Sequence, residues 1–198
     1  QKVLGGEAAH GMIALSPRAI ERLENYTPDW PIPKIFRLSN KQKLITGIFE
    51  GSTINTPSMI CVEDAIDSLN WVEEIGGLNV LIKNSTNSFN LINEWIIKNS
   101  WVDFLADSLE TKYLSNTSIT FKIVADWYVN KDESDQRLII KNICNLLSDN
   151  NIAYDINGYN KAPPSFRIWA GGTVLTKDVE NLLPWIDWAY EQMRAKYA

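Results

Sequence analysis

Apolar residues recur at three- and four-residue steps in several stretches, and this periodicity predicts the helices. Met59, Val62, Ile66, Leu69 and Val72 mark one helix from about Ser58 to Ile75, closed by Gly76-Gly77. Leu81, Phe89, Ile92, Ile96 and Ile97 mark a second, from Leu78 to Lys98. Leu138, Ile139, Ile143, Leu146 and Leu147 mark a third, from Glu133 to Ser148. Val179, Leu182, Leu183, Ile186, Ala189 and Met193 form the stripe of a last helix, from Thr176 onward, in which Pro184 predicts a kink or a restart. One more helix is signalled by its beginning, with Ser16 as N-cap and Pro17 at the first helical position.

The strand signals are shorter. Ile119, Phe121 and Ile123 alternate with polar residues in SITFKIV, the pattern of a half-buried strand. MIALS (Met12–Ser16), IAYDI (Ile152–Ile156) and SFRIWAG (Ser165–Gly171) read as further short strands. IFRLSNKQKLITGIFEGST reads as two strands around a polar turn, and Pro28, Pro31 and Pro33 keep the preceding stretch extended or turning. The second half thus reads strand, helix, strand, strand, helix, a small α/β domain with helices on a sheet. The first half has too few strands to close a core of its own. We therefore expect residues 1–77 to be the end of a larger layered domain and 78–198 a small domain, with an upstream half missing from the sequence.

Composition narrows the function classes. The chain has 198 residues, 45% of them hydrophobic, with 8 Trp, 7 Tyr and 6 Phe, which argues for a packed core and against disorder. The net charge of −5 and the scattered basic residues argue against a nucleic-acid surface. Cys61 and Cys144 are far apart and His10 is the only histidine, so no ordinary zinc site is expected and the cysteines read as buried thiols. No apolar run approaches the ~20 residues of a membrane span. The sequons at Asn84 and Asn116 read as coincidence, and the expected location is cytoplasmic.

Four places can carry chemistry. Lys2, just before Gly5-Gly6, is either a nucleophilic lysine or an ordinary charge near a terminus. Asn55 and Thr56 precede Pro57 and a helix start, where backbone N–H groups suit a phosphate, although Thr56 also reads simply as an N-cap. Arg167 alternates with Phe166 and Ile168 between a Pro-Pro and a Gly-Gly turn. It reads as a bidentate carboxylate clamp or as a surface arginine, with Trp169 on the same face as packing. His10, beside Gly11, reads as a phosphate ligand or a hydrogen-bonded core residue.

QKVLGGEAAHGM, GSTINTPSM, EEIGGL and FRIWAGGTV, in this order and spacing, resemble phosphoserine aminotransferase along essentially the whole chain. That resemblance implies fold type I of the pyridoxal-phosphate enzymes: the tail of a large mixed-sheet domain, then a small C-terminal α/β sandwich domain. It implies that Lys2 holds pyridoxal 5'-phosphate covalently and shuttles the substrate proton. It implies that Asn55 and Thr56 reach the cofactor phosphate across a homodimer interface, and that Arg167 binds the substrate α-carboxylate. The reaction implied exchanges an amino group between O-phospho-L-serine and 2-oxoglutarate, giving 3-phosphooxypyruvate and glutamate, in serine and in some bacteria pyridoxine synthesis. The better-known branch carries a His-Arg pair before the carboxylate arginine. Here the stretch is GYNKAPPSFR, so Lys161, His10 and Arg37 are the candidates for the substrate phosphate. The chain alone is expected to be inactive. The rival readings are a serine or alanine aminotransferase using glyoxylate, and a non-catalytic α/β binding module.

Overall fold

The structure is a computed structural model that describes residues 2–4, 6, 11–107 and 110–198. The chain divides into two compact units. One runs over Gly6–Ser68. The other comprises Leu69–Ala198, with the segment at Lys2 joined to it. The division falls within a helix, Met59–Glu74.

The first unit opens with α1, Pro17–Asn25, where the Ser16 hydroxyl accepts the Ala19 N–H at 3.2 Å as the sequence predicts. The strand expected over Met12–Ser16 is not formed, and the residues are irregular and mostly exposed. No ladder partner lies beside them among the described residues, and an extended segment is a strand only when its N–H and C=O groups are paired. The polar turn between two strands is present but compact. Strand β1, Ser39–Asn40, pairs antiparallel with β2, Lys43–Leu44. Lys41 and Gln42 between them both take positive φ, 48° and 58°, as a two-residue hairpin turn of the primed kind requires. Ile35 and Phe36, expected in the first strand, lie in a single 3₁₀ turn instead. The Glu24 carboxylate accepts the Leu44 N–H at 3.4 Å and ties α1 to the hairpin. Helix α2 spans Met59–Glu74. Of this unit's described residues only Cys61 is buried.

The second unit holds the core. Gly76 and Gly77 sit at φ +106° and +79° and separate α2 from α3, Leu78–Lys98, whose limits match the periodicity. Strands β3, Val102–Phe104, β4, Ser118–Ile123, and β5, Phe166–Trp169, form an antiparallel sheet in the order β3-β4-β5. Between β4 and β5 come a short helix α4, Asp126–Val129, and α5, Glu133–Asp149, the latter N-capped by the Asp132 carboxylate. The chain closes with α6, Thr176–Tyr197, which is continuous through Pro184. That proline lacks an N–H to donate to the preceding turn, yet Leu183 and Ile186 on either side stay buried and hold the helix in place.

Ile119, Phe121, Ile123, Phe166 and Ile168 form one face of the sheet and are all buried. They meet the apolar stripes of α3, α5 and α6 in one cluster. Aromatic rings fill its centre. Phe121 stacks on Phe166 at 5.1 Å and meets Trp95 edge-on at 5.5 Å, and Trp101 stacks on Tyr190 at 3.9 Å. The Trp95 indole N–H donates to both oxygens of Asp187, at 3.0 and 3.1 Å. Burial pushes the Asp187 carboxyl above its ordinary pKa, against the opposing pull of the Trp95 and Trp101 hydrogen bonds. Cys144 is similarly pushed up to about 12 by burial.

The strand expected over Ile152–Ile156 is not formed. Asp155 takes a left-handed φ of 55°, which breaks the extended run, and only an isolated bridge joins Asn157 to Phe166. No described helix is long and apolar enough to cross a membrane. Among the described residues no group of three or more His, Cys, Asp or Glu is gathered as a metal site would need.

Candidate functional site

The sheet face opposite the core carries the site. Alternation along β5 buries Phe166 and Ile168 and turns Arg167 and Trp169 the other way. Register pairs Arg167 with Thr120 of β4, so its backbone is fixed on one side by a ladder. On its other side the Arg167 N–H donates to the Ile156 carbonyl at 2.8 Å, and the Gly158 N–H donates to the Ser165 carbonyl at 2.9 Å. The irregular segment Asp155–Tyr159 is thereby laid along the start of β5. Gly158 is required there, because a Cβ would stand 2.5 Å from Ser165 Oγ and 2.8 Å from its carbonyl oxygen.

This arrangement surrounds the Arg167 guanidinium. Nη1 donates to the Tyr159 hydroxyl at 2.9 Å and Nη2 to the Asp155 carboxylate at 3.1 Å. The Tyr159 ring also lies under the guanidinium carbon, 4.6 Å from its centroid. The Arg167 side chain is only 16% exposed, and its buried Nε has no hydrogen-bond partner among the described residues. A cavity of about 470 Å³ opens beside these groups, lined by Lys2, Asp155, Asn157, Tyr159, Asn160 and Arg167. An amine and a guanidinium around one cavity of small-ligand size favour an anionic ligand with a carbonyl or carboxylate group.

The other residues singled out in the sequence do not line that cavity. Lys161 is exposed. Asn55 and Thr56 are exposed in the irregular stretch before α2, in the first unit. Helix α2 begins at Met59, and the Val62 N–H bonds back to the Ser58 carbonyl, so Thr56 precedes the helical turn. Arg37, also in the first unit, donates its Nε–H to the Ile32 carbonyl at 2.6 Å and lines a separate cavity with Trp30 and Phe36. His10 lies outside the described residues. Sequence reasoning missed Asp155. Its contact with Arg167 depends on an unpredicted left-handed turn that carries no motif.

Two curated relatives bear on this arrangement. The chain is 47% identical over 194 residues to the phosphoserine aminotransferases of Methanosarcina mazei and Methanosarcina barkeri. The match covers 98% of this chain. The chain is similar to phosphoserine aminotransferases along almost its whole length. It spans about half the length of these relatives, 49% of each.

No family model matches the chain. Among solved structures, a phosphoserine aminotransferase from Bacillus circulans subsp. alkalophilus matches with a TM-score of 0.60 at 17% identity, covering 74% of this chain and 37% of that one. One from Trichomonas vaginalis, described with pyridoxal phosphate bound, matches with a TM-score of 0.61 at 18% identity, covering 81% of this chain and 40% of that one. The fold is therefore α/β, that of the matching part of fold type I, and the likeness to phosphoserine aminotransferase read from the motifs is borne out.

Proposed function

We propose that this chain forms part of a phosphoserine aminotransferase that uses pyridoxal 5'-phosphate to exchange an amino group between O-phospho-L-serine and 2-oxoglutarate, yielding 3-phosphooxypyruvate and glutamate. The observation that carries the proposal is the cavity shared by Lys2 and Arg167. The 47% identity to named phosphoserine aminotransferases supports it independently. The residues present fit the cofactor. Lys2 offers a solvent-accessible amine on a cavity of about 470 Å³, within the range of small-ligand sites. Pyridoxal phosphate supplies the electron sink for charge left on the substrate α-carbon. Lys2 Nζ holds the cofactor and moves the proton at that α-carbon. The remaining Nη hydrogens of Arg167 bind the substrate α-carboxylate and orient the amino acid towards Lys2.

Asn55 and Thr56 contact the cofactor phosphate in this reading, across the interface of a homodimer. The exposure of both residues supports a role towards another chain. Contacts to the substrate phosphate fall to Lys161, Arg37 and His10. Residues 1–77 belong to the large domain and 78–198 to the small one. The near absence of buried residues among those described in Gly6–Ser68 supports assigning that stretch to a larger domain. The reading also puts the enzyme in the cytoplasm, where serine synthesis takes place.

The test compares amino donors in an enzyme of the relatives' full length that contains this chain. Phosphoserine should exceed serine and alanine in kcat/KM by orders of magnitude. Comparable values for serine and phosphoserine would reject the phosphoserine reading in favour of a serine or alanine aminotransferase.

A further inference from the structure

The Arg167 guanidinium already has two partners, neither of which is a substrate group. Asp155 and Tyr159 reach it from an irregular segment that β5 holds by main-chain bonds on both sides of Asn157. Asp155 takes a left-handed φ of 55°, a conformation that non-glycine residues adopt sparingly and that aims its carboxylate at Nη2. Tyr159 contributes twice, through its hydroxyl on Nη1 and its ring under the guanidinium plane. Nε is left buried without a partner among the described residues, so bonds at the two Nη atoms are what restrain the group's rotation.

We propose that Asp155 and Tyr159 are positioning residues, a clamp that sets the orientation of the Arg167 guanidinium before a carboxylate arrives. The proposal rests on the reading of Arg167 as the carboxylate-binding residue. Two effects of Asp155 oppose each other. Its charge repels an incoming anion, while its hydrogen bond fixes the arginine. The Asp155 side chain is 87% exposed, so solvent screens its repulsion, whereas the 3.1 Å hydrogen bond acts at contact. Orientation therefore outweighs repulsion, and removing the Asp155 charge weakens carboxylate binding. Clamped donors bind a planar carboxylate better than mobile ones because less freedom is lost on binding.

The test uses an enzyme of the relatives' full length that contains this chain, with 2-oxoglutarate as the probe, read by NMR at the arginine Nε–H signals. Asp155→Asn keeps the size and the tolerance for left-handed backbone, and Tyr159→Phe keeps the ring and removes the hydroxyl. Arg167→Gln assigns the signal. In each clamp variant the Arg167 Nε–H should exchange with solvent several-fold faster than in the parent. The apparent Kd for 2-oxoglutarate should rise about fivefold, the size of one ordinary hydrogen bond lost or weakened. Unchanged exchange and affinity in both variants, or tighter binding in Asp155→Asn, would overturn the clamp. Binding that survives Arg167→Gln, or its absence in the parent, would instead overturn the reading of Arg167, and the exchange rates would still decide the clamp. Should Asp155→Asn fail to fold, Tyr159→Phe carries the test alone.

Discussion

Gly158→Ala should loosen the site and destabilise the fold together. The substituted Cβ would stand 2.5 Å from Ser165 Oγ, 2.8 Å from the Ser165 carbonyl oxygen and 3.3 Å from its carbonyl carbon. Ser165 is 2% exposed and its hydroxyl is bonded to the Pro163 carbonyl at 2.8 Å, so neither backbone nor side chain has room to retreat. The Gly158 segment must therefore move away from β5, stretching the bond from its N–H to Ser165. Overpacking of this kind costs about 1–3 kcal/mol. Loss of glycine's freedom in the unfolded chain returns roughly 0.4–1 kcal/mol, so the net loss is about 1–2 kcal/mol. In a chain of this size that corresponds to a fall in Tm of roughly 2–8 °C by circular dichroism. Gly11→Ala is the control, because no described residue lies within 4 Å of a Cβ there. An unchanged or raised Tm for Gly158→Ala would mean that Asp155–Tyr159 is not seated on β5, and the described surroundings of Arg167 would fall with it.

Phe121→Ala should destabilise the chain by about 3–5 kcal/mol in chemical denaturation, since the ring is fully buried between Phe166 and Trp95. A loss below 1 kcal/mol would contradict the core as described. Asp187 should impart a pH dependence. Its carboxyl is pushed up by burial, so the folded chain holds that proton more tightly than the unfolded chain. The stabilisation is fully present below the unfolded carboxyl's pKa and is lost as pH rises through the folded one. Stability measured from acidic towards neutral pH should therefore decline more in the parent than in Asp187→Asn, and parallel profiles would refute the assignment.

Much of the fold was legible because its core obeys simple periods. Leu78–Lys98 was bounded correctly: its stripe includes the buried Leu81, Phe89, Ile92 and Ile96, and the Gly76-Gly77 pair supplies the break. Alternation in β4 and β5 placed Phe121, Phe166 and Arg167 on their proper faces. Failures came where structure depends on partners distant in sequence. Met12–Ser16 is apolar enough for a strand but has no described strand to pair with. Val102–Phe104 is too short for alternation to show, and pairing with Ile123 and Phe121 alone makes it a strand. At the site, Lys2 and Arg167 carried recognisable signals, whereas Asp155 did not. Its role arises from a left-handed turn and a main-chain bond to β5, neither of which leaves a pattern in the residues.

In the proposed enzyme Lys2 is the residue that holds pyridoxal phosphate, on the cavity that Arg167 also lines. The most direct test is borohydride trapping of pyridoxal phosphate on an enzyme of the relatives' full length that contains this chain, followed by peptide mass mapping. The phosphopyridoxyl mass is expected on Lys2, with loss of both trapping and amino transfer in Lys2→Ala. Stoichiometric label on another lysine, or near-normal turnover in Lys2→Ala, would contradict it.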